Sequence, residues 1–267
     1  MPDRKTALIT GASFGIGLEL ARIFAREGHD LVLVARSGDK LRQLASELEK
    51  AHGTRSLILA VDLSDPGASA YILDQTTRAN IAVDILVNNA GFGQYGFFAE
   101  NDLEECLRQI QVNITTLTHL TRLYLPGMIE RARTGKTAAR ILNVASTAAF
   151  QAGPLMAVYY ATKAYVLHLS EAISNELAGT GVTVTCLCPG PTATEFQERA
   201  KITGIRLTTY GTMDARTVAE DGYRALMAGK PVVISGFKNW LVAQSVRFAP
   251  RRMVTAIARK LQEIKSA

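Results

Sequence analysis

The 267-residue sequence predicts an α/β fold with a doubly wound parallel sheet of about seven strands and helices on both faces. Three observations predict it. Short runs rich in Val, Ile and Leu alternate along the chain with amphipathic segments. Those runs do not alternate with polar residues, as expected when both faces of a sheet are covered. A glycine cluster, Thr10 to Gly17, joins the first run to the first helical segment, which is where such sheets bind ligands.

The individual elements follow from these patterns. The apolar runs that predict strands are 6–10, 30–35, 56–61, 83–90, 140–146, 182–188 and 231–235. The segments that predict helices are 15–28, 38–52, 67–79, 101–133, 157–179 and 217–228. Glycines stand where several helices should end, at Gly28, Gly53, Gly179 and Gly181. No linker, internal repeat or low-complexity segment divides residues 1–236, so we expect them to form a single domain.

Charge and composition narrow the class of protein. The chain carries 30 Lys and Arg against 24 Asp and Glu, and seven of those bases but only Glu263 lie in residues 237–267. The basic excess is therefore a C-terminal feature, and no nucleic-acid partner is expected. Three cysteines without a C-x-x-C pair and four scattered histidines indicate neither a disulfide framework nor a metal site. No spanning helix or signal peptide is indicated, so we expect a cytoplasmic protein.

The stretch "TGASFGIG" predicts a phosphate-binding loop. Its glycines, Gly11, Gly15 and Gly17, do not have the spacing of the common G-x-G-x-x-G fingerprint. They nevertheless lie between the first strand and the first helix. Glycines let the backbone approach a pyrophosphate, and the helix N-terminus offers free N–H groups and a positive dipole end. A dinucleotide cofactor is the ligand that this arrangement favours.

The end of the second strand indicates which dinucleotide binds. An acid at this position would hydrogen-bond the ribose 2′-hydroxyl of NAD, but the chain has Arg36, followed by Ser37. A guanidinium pairs well with the 2′-phosphate of NADP. Asp62 ends the third strand, in position to meet the adenine edge. The "NNAG" motif, 88–91, ends the fourth and supplies amides that can line the cofactor's path.

The stretch "YYATK" carries the chemistry. Tyr159 and Lys163 are four residues apart in a predicted helix and therefore share a face. A cation beside a phenol lowers its pKa, which makes tyrosine a usable proton donor near neutral pH. Tyr160 is three residues from Lys163, so spacing alone leaves it open. Ser146 ends the fifth strand at the same sheet edge. Asn113 lies in a helical segment that Asn disfavours, so we expect an interior contact for it.

Taken together, these motifs resemble the short-chain dehydrogenases/reductases, from Thr6 to about Ser235. The family's T-G-x-x-x-G-x-G falls on Thr10, Gly11, Gly15 and Gly17, its Asn-Ser-Tyr-Lys tetrad on Asn113, Ser146, Tyr159 and Lys163, and its P-G motif on Pro189, Gly190 and Thr194. Ser146 precedes Tyr159 by 13 residues, the usual family spacing, which favours Tyr159 over Tyr160.

The resemblance implies a Rossmann-type fold and hydride transfer between NADP(H) and a ketone or aldehyde, with NAD(H) as a second compatible cofactor. It implies that Tyr159 gives or takes the proton and that Ser146 orients and polarises the substrate oxygen. Lys163 would bind the nicotinamide ribose and lower the tyrosine pKa, and Asn113 would hold a water that links Lys163 to solvent. The residues expected to contact the cofactor are Gly11, Ser13, Phe14, Gly15, Ile16, Gly17, Arg36, Ser37, Asp62, Leu63, Asn89, Ala90, Gly91, Tyr159, Lys163, Pro189, Gly190, Thr192 and Thr194.

Two further expectations come from the resemblance. Some NADP-using members carry a basic residue just before the second glycine, where this chain has Phe14, so the preference for NADP rests on Arg36. Members commonly form homodimers or homotetramers, and we expect the same here. Residues 192–214 would form the family's substrate lid, with Phe196, Ile202, Ile205, Leu207 and Tyr210.

Apolar residues near the expected site indicate a medium-sized, largely apolar carbonyl substrate. They are Phe92, Tyr95, Phe97, Phe98, Phe150, Leu155 and Met156. Residues 237–267 predict a basic, amphipathic helical extension after the catalytic domain. In it Pro250 suits a first helical turn, and the apolar residues at helical spacing are Met253, Ile257, Leu261 and Ile264. The extension is expected to pack on the domain, on a sister subunit or on an anionic membrane.

Three functions are compatible with these observations. The first is an NADPH-dependent carbonyl reductase, and the second is a membrane-peripheral reductase of 3-oxoacyl or steroid substrates. The third is a regulatory protein that senses NADP(H) without catalysis. A complete tetrad argues against the third, because a sensor has no need of Tyr159 or Lys163.

Overall fold

The computed structural model describes residues 4–135, 138–196, 200 and 211–263. Its central sheet has seven parallel strands in the order β3-β2-β1-β4-β5-β6-β9, which confirms the predicted Rossmann-type class. The strands of this sheet are β1 Thr6–Thr10, β2 Asp30–Ala35, β3 Ser56–Ala60, β4 Val83–Asn88, β5 Ala139–Val144, β6 Val182–Cys188 and β9 Val232–Ile234. Two strands of two residues, β7 Thr192–Ala193 and β8 Met213–Asp214, form a separate parallel pair that is too short for a sequence pattern to predict.

Helices cover both faces of this sheet. They are α1 Gly15–Arg26, α2 Gly38–His52, α3 Ala68–Arg78, α4 Leu103–Ile110, α5 Leu117–Arg133, α6 Ala157–Glu176, α7 Ala215–Met227, α8 Phe237–Ser245 and α9 Arg251–Gln262. The predicted helix over 101–133 is interrupted, because a π-helical turn, Gln111–Thr116, separates α4 from α5. Such turns occur frequently at functional sites. Of the helices in the described ranges, none is long and apolar enough to cross a membrane.

Burial on both faces explains the uninterrupted apolar runs. Every residue of β2 and of β4 is buried. On one side of the sheet Leu20 and Phe24 of α1 pack with Leu41 of α2, and on the other side α3 and α5 supply the covering residues. The three cysteines, Cys106, Cys186 and Cys188, are buried free thiols.

The order of the strands fixes where a ligand can bind. β1 lies between β2 and β4, so the chain changes direction across the sheet at this point. A crevice therefore opens beyond the C-terminal ends of β1 and β4, between the loops that follow them. Those loops contain the glycine cluster and the "NNAG" motif.

Candidate active site

Hydrogen bonds join the loop after β1 to the loop after β4. The Thr10 hydroxyl accepts bonds from the backbone N–H groups of Asn89, at 3.0 Å, and Ala90, at 3.1 Å. It also donates to the carbonyl of Val87, at 3.2 Å. The Asn89 side chain donates to the carbonyl of Thr10, at 2.9 Å. The two walls of the crevice are thus held in register by one threonine and one asparagine.

Close packing explains two of the glycines. A β-carbon on Gly17 would overlap the carbonyl oxygen of Gly11 and the side-chain amide of Asn89. Gly15 has a φ of +52°, and a β-carbon there would lie 2.8 Å from Cγ2 of Thr194. α1 begins at Gly15, directly after Phe14, whose side chain cannot accept hydrogen bonds from the first-turn N–H groups. The helix N-terminus is therefore suited to an anionic group such as a pyrophosphate.

One cavity of about 310 Å³ runs along this edge of the sheet. Every residue predicted to contact the cofactor lines it except Gly17, which packs behind the loop. Of the predicted tetrad, Ser146, Tyr159 and Lys163 line the cavity, whereas Asn113 does not. The cavity therefore joins the glycine loop to three residues of the tetrad.

Arg36 and Asp62, which are predicted to contact the adenosine part of the cofactor, lie next to each other on the cavity wall. The Arg36 side chain is 58% exposed, and its Nη1 lies 4.0 Å from Oδ2 of Asp62, so the ion pair is loose. Burial acts to raise the pKa of Asp62. Hydrogen bonds from Ser64 and the nearby guanidinium of Arg36 outweigh burial and hold that pKa below its ordinary value. A loosely paired guanidinium remains available to an incoming phosphate.

A second cation, not anticipated from the sequence, contacts the Phe14 ring on the cavity wall. The ammonium of Lys40, in the first turn of α2, lies 3.6 Å from the centre of that ring. Phe14 itself carries no charge, but its ring holds this lysine in a cation–π contact. The only signal in the sequence was the position of Lys40, four residues after Arg36.

At the reacting end, Lys163 is buried beside Tyr159. Its Nζ donates a 2.8 Å hydrogen bond to the carbonyl of Val144 and lies 5.8 Å from the centre of the Tyr159 ring. Burial lowers the pKa of Lys163 to about 8. Burial also raises the pKa of Tyr159, although the neighbouring hydroxyl of Ser146 acts to lower it.

The direction of the Tyr159 shift is opposite to the one predicted from the spacing. The prediction considered only the attraction between a phenolate and the ammonium of Lys163. In the structure that ammonium bonds to a backbone carbonyl, and burial penalises the charged forms of both groups. The geometry still brings Lys163 close to Tyr159, so a phenolate formed there would lie near a cation.

Ser146 is positioned by the ends of β5 and β6. It caps a short 3₁₀ helix, Thr147–Phe150, and its hydroxyl accepts a 3.1 Å bond from the N–H of Ala148. The same hydroxyl lies 3.4 Å from the carbonyl of Pro189, a long bond that leaves its proton free to turn toward a better acceptor. The serine is therefore held by backbone groups while its hydroxyl remains available to a substrate oxygen.

Asn113 lies in the π-helical turn, outside the cavity wall, and bonds to segments that carry residues of the site. Its Nδ2 donates to the carbonyl of Phe92 and to the hydroxyl of Thr162, both at 3.0 Å. Its Oδ1 accepts from the N–H of Phe92, at 3.1 Å. These bonds tie the loop after β4 to α6, the helix that carries Lys163. That Asn113 also holds a water between Lys163 and solvent stays a prediction.

The described residues that are expected around the substrate divide into three groups. Phe92, Met156 and Phe196 line the cavity, and the Phe196 ring lies 5.2 Å from that of Tyr159. Phe97 and Phe98 are instead 50% and 68% exposed. Phe150, Leu155 and Tyr95 are at least partly buried outside the cavity wall. The predicted lid residues Ile202, Ile205, Leu207 and Tyr210 lie outside the described residues.

The C-terminal extension contributes a wall residue that the sequence did not indicate. Gln262, at the end of α9, lines the cavity 102 residues after Tyr160. The face of α9 that is buried carries Ala258 and Gln262. Of the predicted apolar stripe, Met253 and Ile257 are 49% and 50% exposed, whereas Leu261 is partly buried; Ile264 lies outside the described residues.

Comparison with known proteins gives a consistent family. The family model "short chain dehydrogenase" matches residues 5–203. Ketoacyl reductase HetN of Nostoc sp. is 36% identical over 186 residues, which are 70% of this chain and 63% of the relative. Human very-long-chain 3-oxoacyl-CoA reductase is 34% identical over 204 residues, 74% of this chain and 62% of the relative. The chain thus spans less than two thirds of these curated relatives.

A solved structure matches more completely. The short-chain dehydrogenase from Sphingobium yanoikuyae in complex with NADPH is 33% identical, and the match covers 91% of this chain and 94% of that one, with a TM-score of 0.79.

Proposed function

Because the chain belongs to the short-chain dehydrogenase family of oxidoreductases, we propose that it reduces a ketone or aldehyde with NADPH and reversibly oxidises the corresponding alcohol. The observation that carries this proposal is the position of Ser146, Tyr159 and Lys163 on the same cavity as the glycine loop. The apolar residues near Tyr159 favour a medium-sized, largely apolar substrate.

The residues act on the substrate oxygen. When bound, the reduced nicotinamide supplies a hydride to the carbonyl carbon. The hydroxyls of Ser146 and Tyr159 hold the carbonyl oxygen, and Tyr159 gives up its proton as negative charge develops there. Lys163, whose pKa is about 8, is charged near neutral pH and stabilises the phenolate that remains. Apolar side chains around Tyr159 keep competing water away from the reacting carbon.

The test of the reaction is Tyr159→Phe, assayed over ketones, aldehydes and 3-oxoacyl compounds. We expect kcat to fall about 10²- to 10⁴-fold, since the proton donor is lost, while the Kd for NADPH stays unchanged. Tyr165→Phe, on an outer part of the same helix, is the matched control. Loss of turnover in Tyr160→Phe but not in Tyr159→Phe would overturn the assignment. If the wild-type protein bound NADPH but none of these carbonyl compounds supported its oxidation, the regulatory alternative would be favoured.

The proposed preference for NADP(H) depends on Arg36 and on Lys40, which contacts Phe14 on the cavity wall. A 2′-phosphate would meet a half-exposed guanidinium and an ammonium held over Phe14. We expect Arg36→Ala to raise the Kd for NADPH more than about tenfold, as the loss of a charge-assisted bond does, and to leave the Kd for NADH nearly unchanged. Lys40→Ala should have a smaller effect of the same sign. Arg42→Ala, on the same helix but paired with Asp39, is the control; equal shifts for both cofactors would contradict the proposal.

In a second candidate function, the protein carries out the same reaction while the C-terminal extension binds to a membrane surface. The extension exposes large apolar side chains, among them Phe248 at 88%, Phe237 at 75% and Val242 at 61%. The exposed bases beside them are Lys238, Arg247, Arg251, Arg252 and Lys260. A surface that is both apolar and basic is complementary to an anionic bilayer, where lipophilic carbonyl compounds dissolve.

The membrane proposal has a built-in probe, because Trp240 is the single tryptophan of the chain and is 45% exposed. We expect its emission to shift to the blue with vesicles that contain phosphatidylserine but not with phosphatidylcholine vesicles. Arg251→Glu/Arg252→Glu should weaken binding more than about tenfold, since each base near an anionic surface contributes about 1 kcal/mol. A blue shift that depends only on protein concentration, together with a dimer in sedimentation without lipid, would assign the surface to a second copy.

A further inference from the structure

The last turn of α9 closes one end of the cavity through hydrogen bonds to two tyrosines. The Tyr95 hydroxyl donates a 2.7 Å bond to the main-chain carbonyl of Gln262. The side-chain Nε2 of Gln262 donates to the hydroxyl of Tyr160. Gln262 is only 2% exposed, yet it lines the cavity together with Tyr159. A residue of the extension is therefore part of the active-site wall.

One end of this buried amide has no partner. Oε1 of Gln262 accepts no hydrogen bond within the described residues. Exchanging the oxygen and nitrogen of the amide would satisfy Tyr160 equally well and leave the amide nitrogen without a partner. In either orientation the amide retains unused hydrogen-bonding capacity. A buried polar group in this state is satisfied either by water in the cavity or by a ligand that displaces that water.

The surroundings of the amide define what such a ligand must carry. Met156 and Phe196 supply apolar wall nearby. The ring centres of Tyr159 and Tyr160 lie 6.2 Å apart, and both tyrosines line the same cavity as Gln262. A substrate whose only polar group is the reacting carbonyl would leave the amide unsatisfied. A substrate with a second oxygen directed at Gln262 would complete its hydrogen bonds.

We propose that Gln262 is a specificity-determining residue that hydrogen-bonds a second oxygen of the substrate, remote from the reacting carbonyl. The substrate class is a bifunctional carbonyl compound, such as a 3-oxo ester or a hydroxyketone. This inference rests on the proposed reductase function. A site that is built around a hydrogen bond discriminates strongly against analogues that lack the matching group, because its own buried group is then left unpaired.

The experiment compares kcat/KM for three substrates of equal chain length: a simple ketone, a 3-oxo ester and a hydroxyketone. Gln262→Met keeps the length of the side chain and removes its hydrogen bonds. We expect the ratio of kcat/KM for at least one oxygenated substrate to that for the simple ketone to fall at least tenfold, mainly through KM. Loss with the 3-oxo ester would identify the amide N–H as the donor, and loss with the hydroxyketone alone would identify Oε1 as the acceptor, because an ester can only accept a hydrogen bond.

Two further variants keep the test decisive. Gln244→Met, on α8 and away from the cavity, should leave both ratios unchanged. Tyr160→Phe/Gln262→Met removes both partners of the buried bond, so no hydroxyl is left unpaired, and should give the same fall as the single variant. Equal losses for all three substrates, or no loss, would overturn the inference. Wild-type protein that reduces no carbonyl compound would instead overturn the proposed function.

Discussion

The two ends of the cavity are built in different ways. The cofactor end consists of loops that follow neighbouring strands, and the side chains of Thr10 and Asn89 join those loops by hydrogen bonds to each other's backbone. The far end is completed by Gln262, which comes from the last helix and is attached through two tyrosine hydroxyls. The loops that follow the strands therefore form one end of the cavity, whereas the C-terminal extension supplies the residue that we propose to contact the substrate.

The largest effect is expected where the cofactor end is tightest. Gly17→Ala would place a methyl group against the carbonyl of Gly11 and the amide of Asn89, and the carbonyl belongs to the backbone and cannot turn away. We expect the free energy of unfolding to fall by about 3 kcal/mol, as for a strongly overpacked core, and NADPH binding to weaken in parallel. Urea denaturation and cofactor titration measure the two effects.

Gly127→Ala is the matched control for this change. Gly127 is an exposed residue inside α5, where alanine should increase stability by about 0.5–1 kcal/mol through helix propensity. If Gly17→Ala behaved like Gly127→Ala, the glycine loop would be far looser than its contacts indicate, and the contrast between the two ends of the cavity would disappear.

The next effect concerns Lys163, which lies between the two ends. Burial lowers its pKa from 10.5 to about 8. Between these values the unfolded chain holds a proton that the folded protein has released, so this group makes the free energy of unfolding rise with pH. At about 1.4 kcal/mol per pKa unit, the difference between wild type and Lys163→Met should rise by up to about 3 kcal/mol from pH 8 to pH 10.5.

Denaturation at several pH values measures this difference, and Lys230→Met, at an exposed lysine, controls for the removal of a charge. A difference that fell with pH would mean that the folded protein favours the charged lysine. The stabilising contacts of the ammonium, chiefly the carbonyl of Val144, would then outweigh its burial.

The sequence could predict the residues of local motifs, but it could not predict contacts between segments that are far apart in the chain. Gly11, Gly15 and Tyr159 belong to motifs whose spacing directly reports a loop or a helix face, and these residues meet in one cavity. Lys40 over Phe14 and Gln262 against Tyr160 were missed, because both contacts depend on how distant segments cross. Local periodicity carries no information about such crossings.

Burial is the second property that the sequence could not supply. The spacing of Tyr159 and Lys163 predicts their proximity, but the sign of the Tyr159 pKa shift depends on how much solvent both groups lose. The exposure of Met253 and Ile257 is the converse case. Their helical spacing predicts an apolar stripe, yet whether the domain covers that stripe depends on the orientation of α9.

A smaller effect is expected for Asn113, which connects the loop after β4 to α6. Asn113→Ala removes three hydrogen bonds and leaves the N–H and carbonyl of Phe92 without these partners. We expect a loss of about 2 kcal/mol in stability, and the amide of Phe92 should exchange with solvent much faster. Asn175→Ala, at an exposed position of α6, should change stability by less than about 0.5 kcal/mol. Unchanged exchange at Phe92 would show that another group holds this loop.

The smallest effect is expected for the hydrogen bond that attaches α9 to Tyr95. Tyr95→Phe removes one hydrogen bond, from the tyrosine hydroxyl to the carbonyl of Gln262, and leaves the ring in place. We expect a loss of about 1 kcal/mol, confined to the opening of α9, so its amides should exchange about fivefold faster while those of β1 and β4 do not change. Tyr71→Phe, at an exposed tyrosine of α3, is the control. Because closing this end of the cavity depends on α9, even that small loss should raise KM for a bifunctional substrate more than for a simple ketone. If the amides of the central sheet lost as much protection against hydrogen exchange as those of α9, then α9 would fold as one unit with the domain.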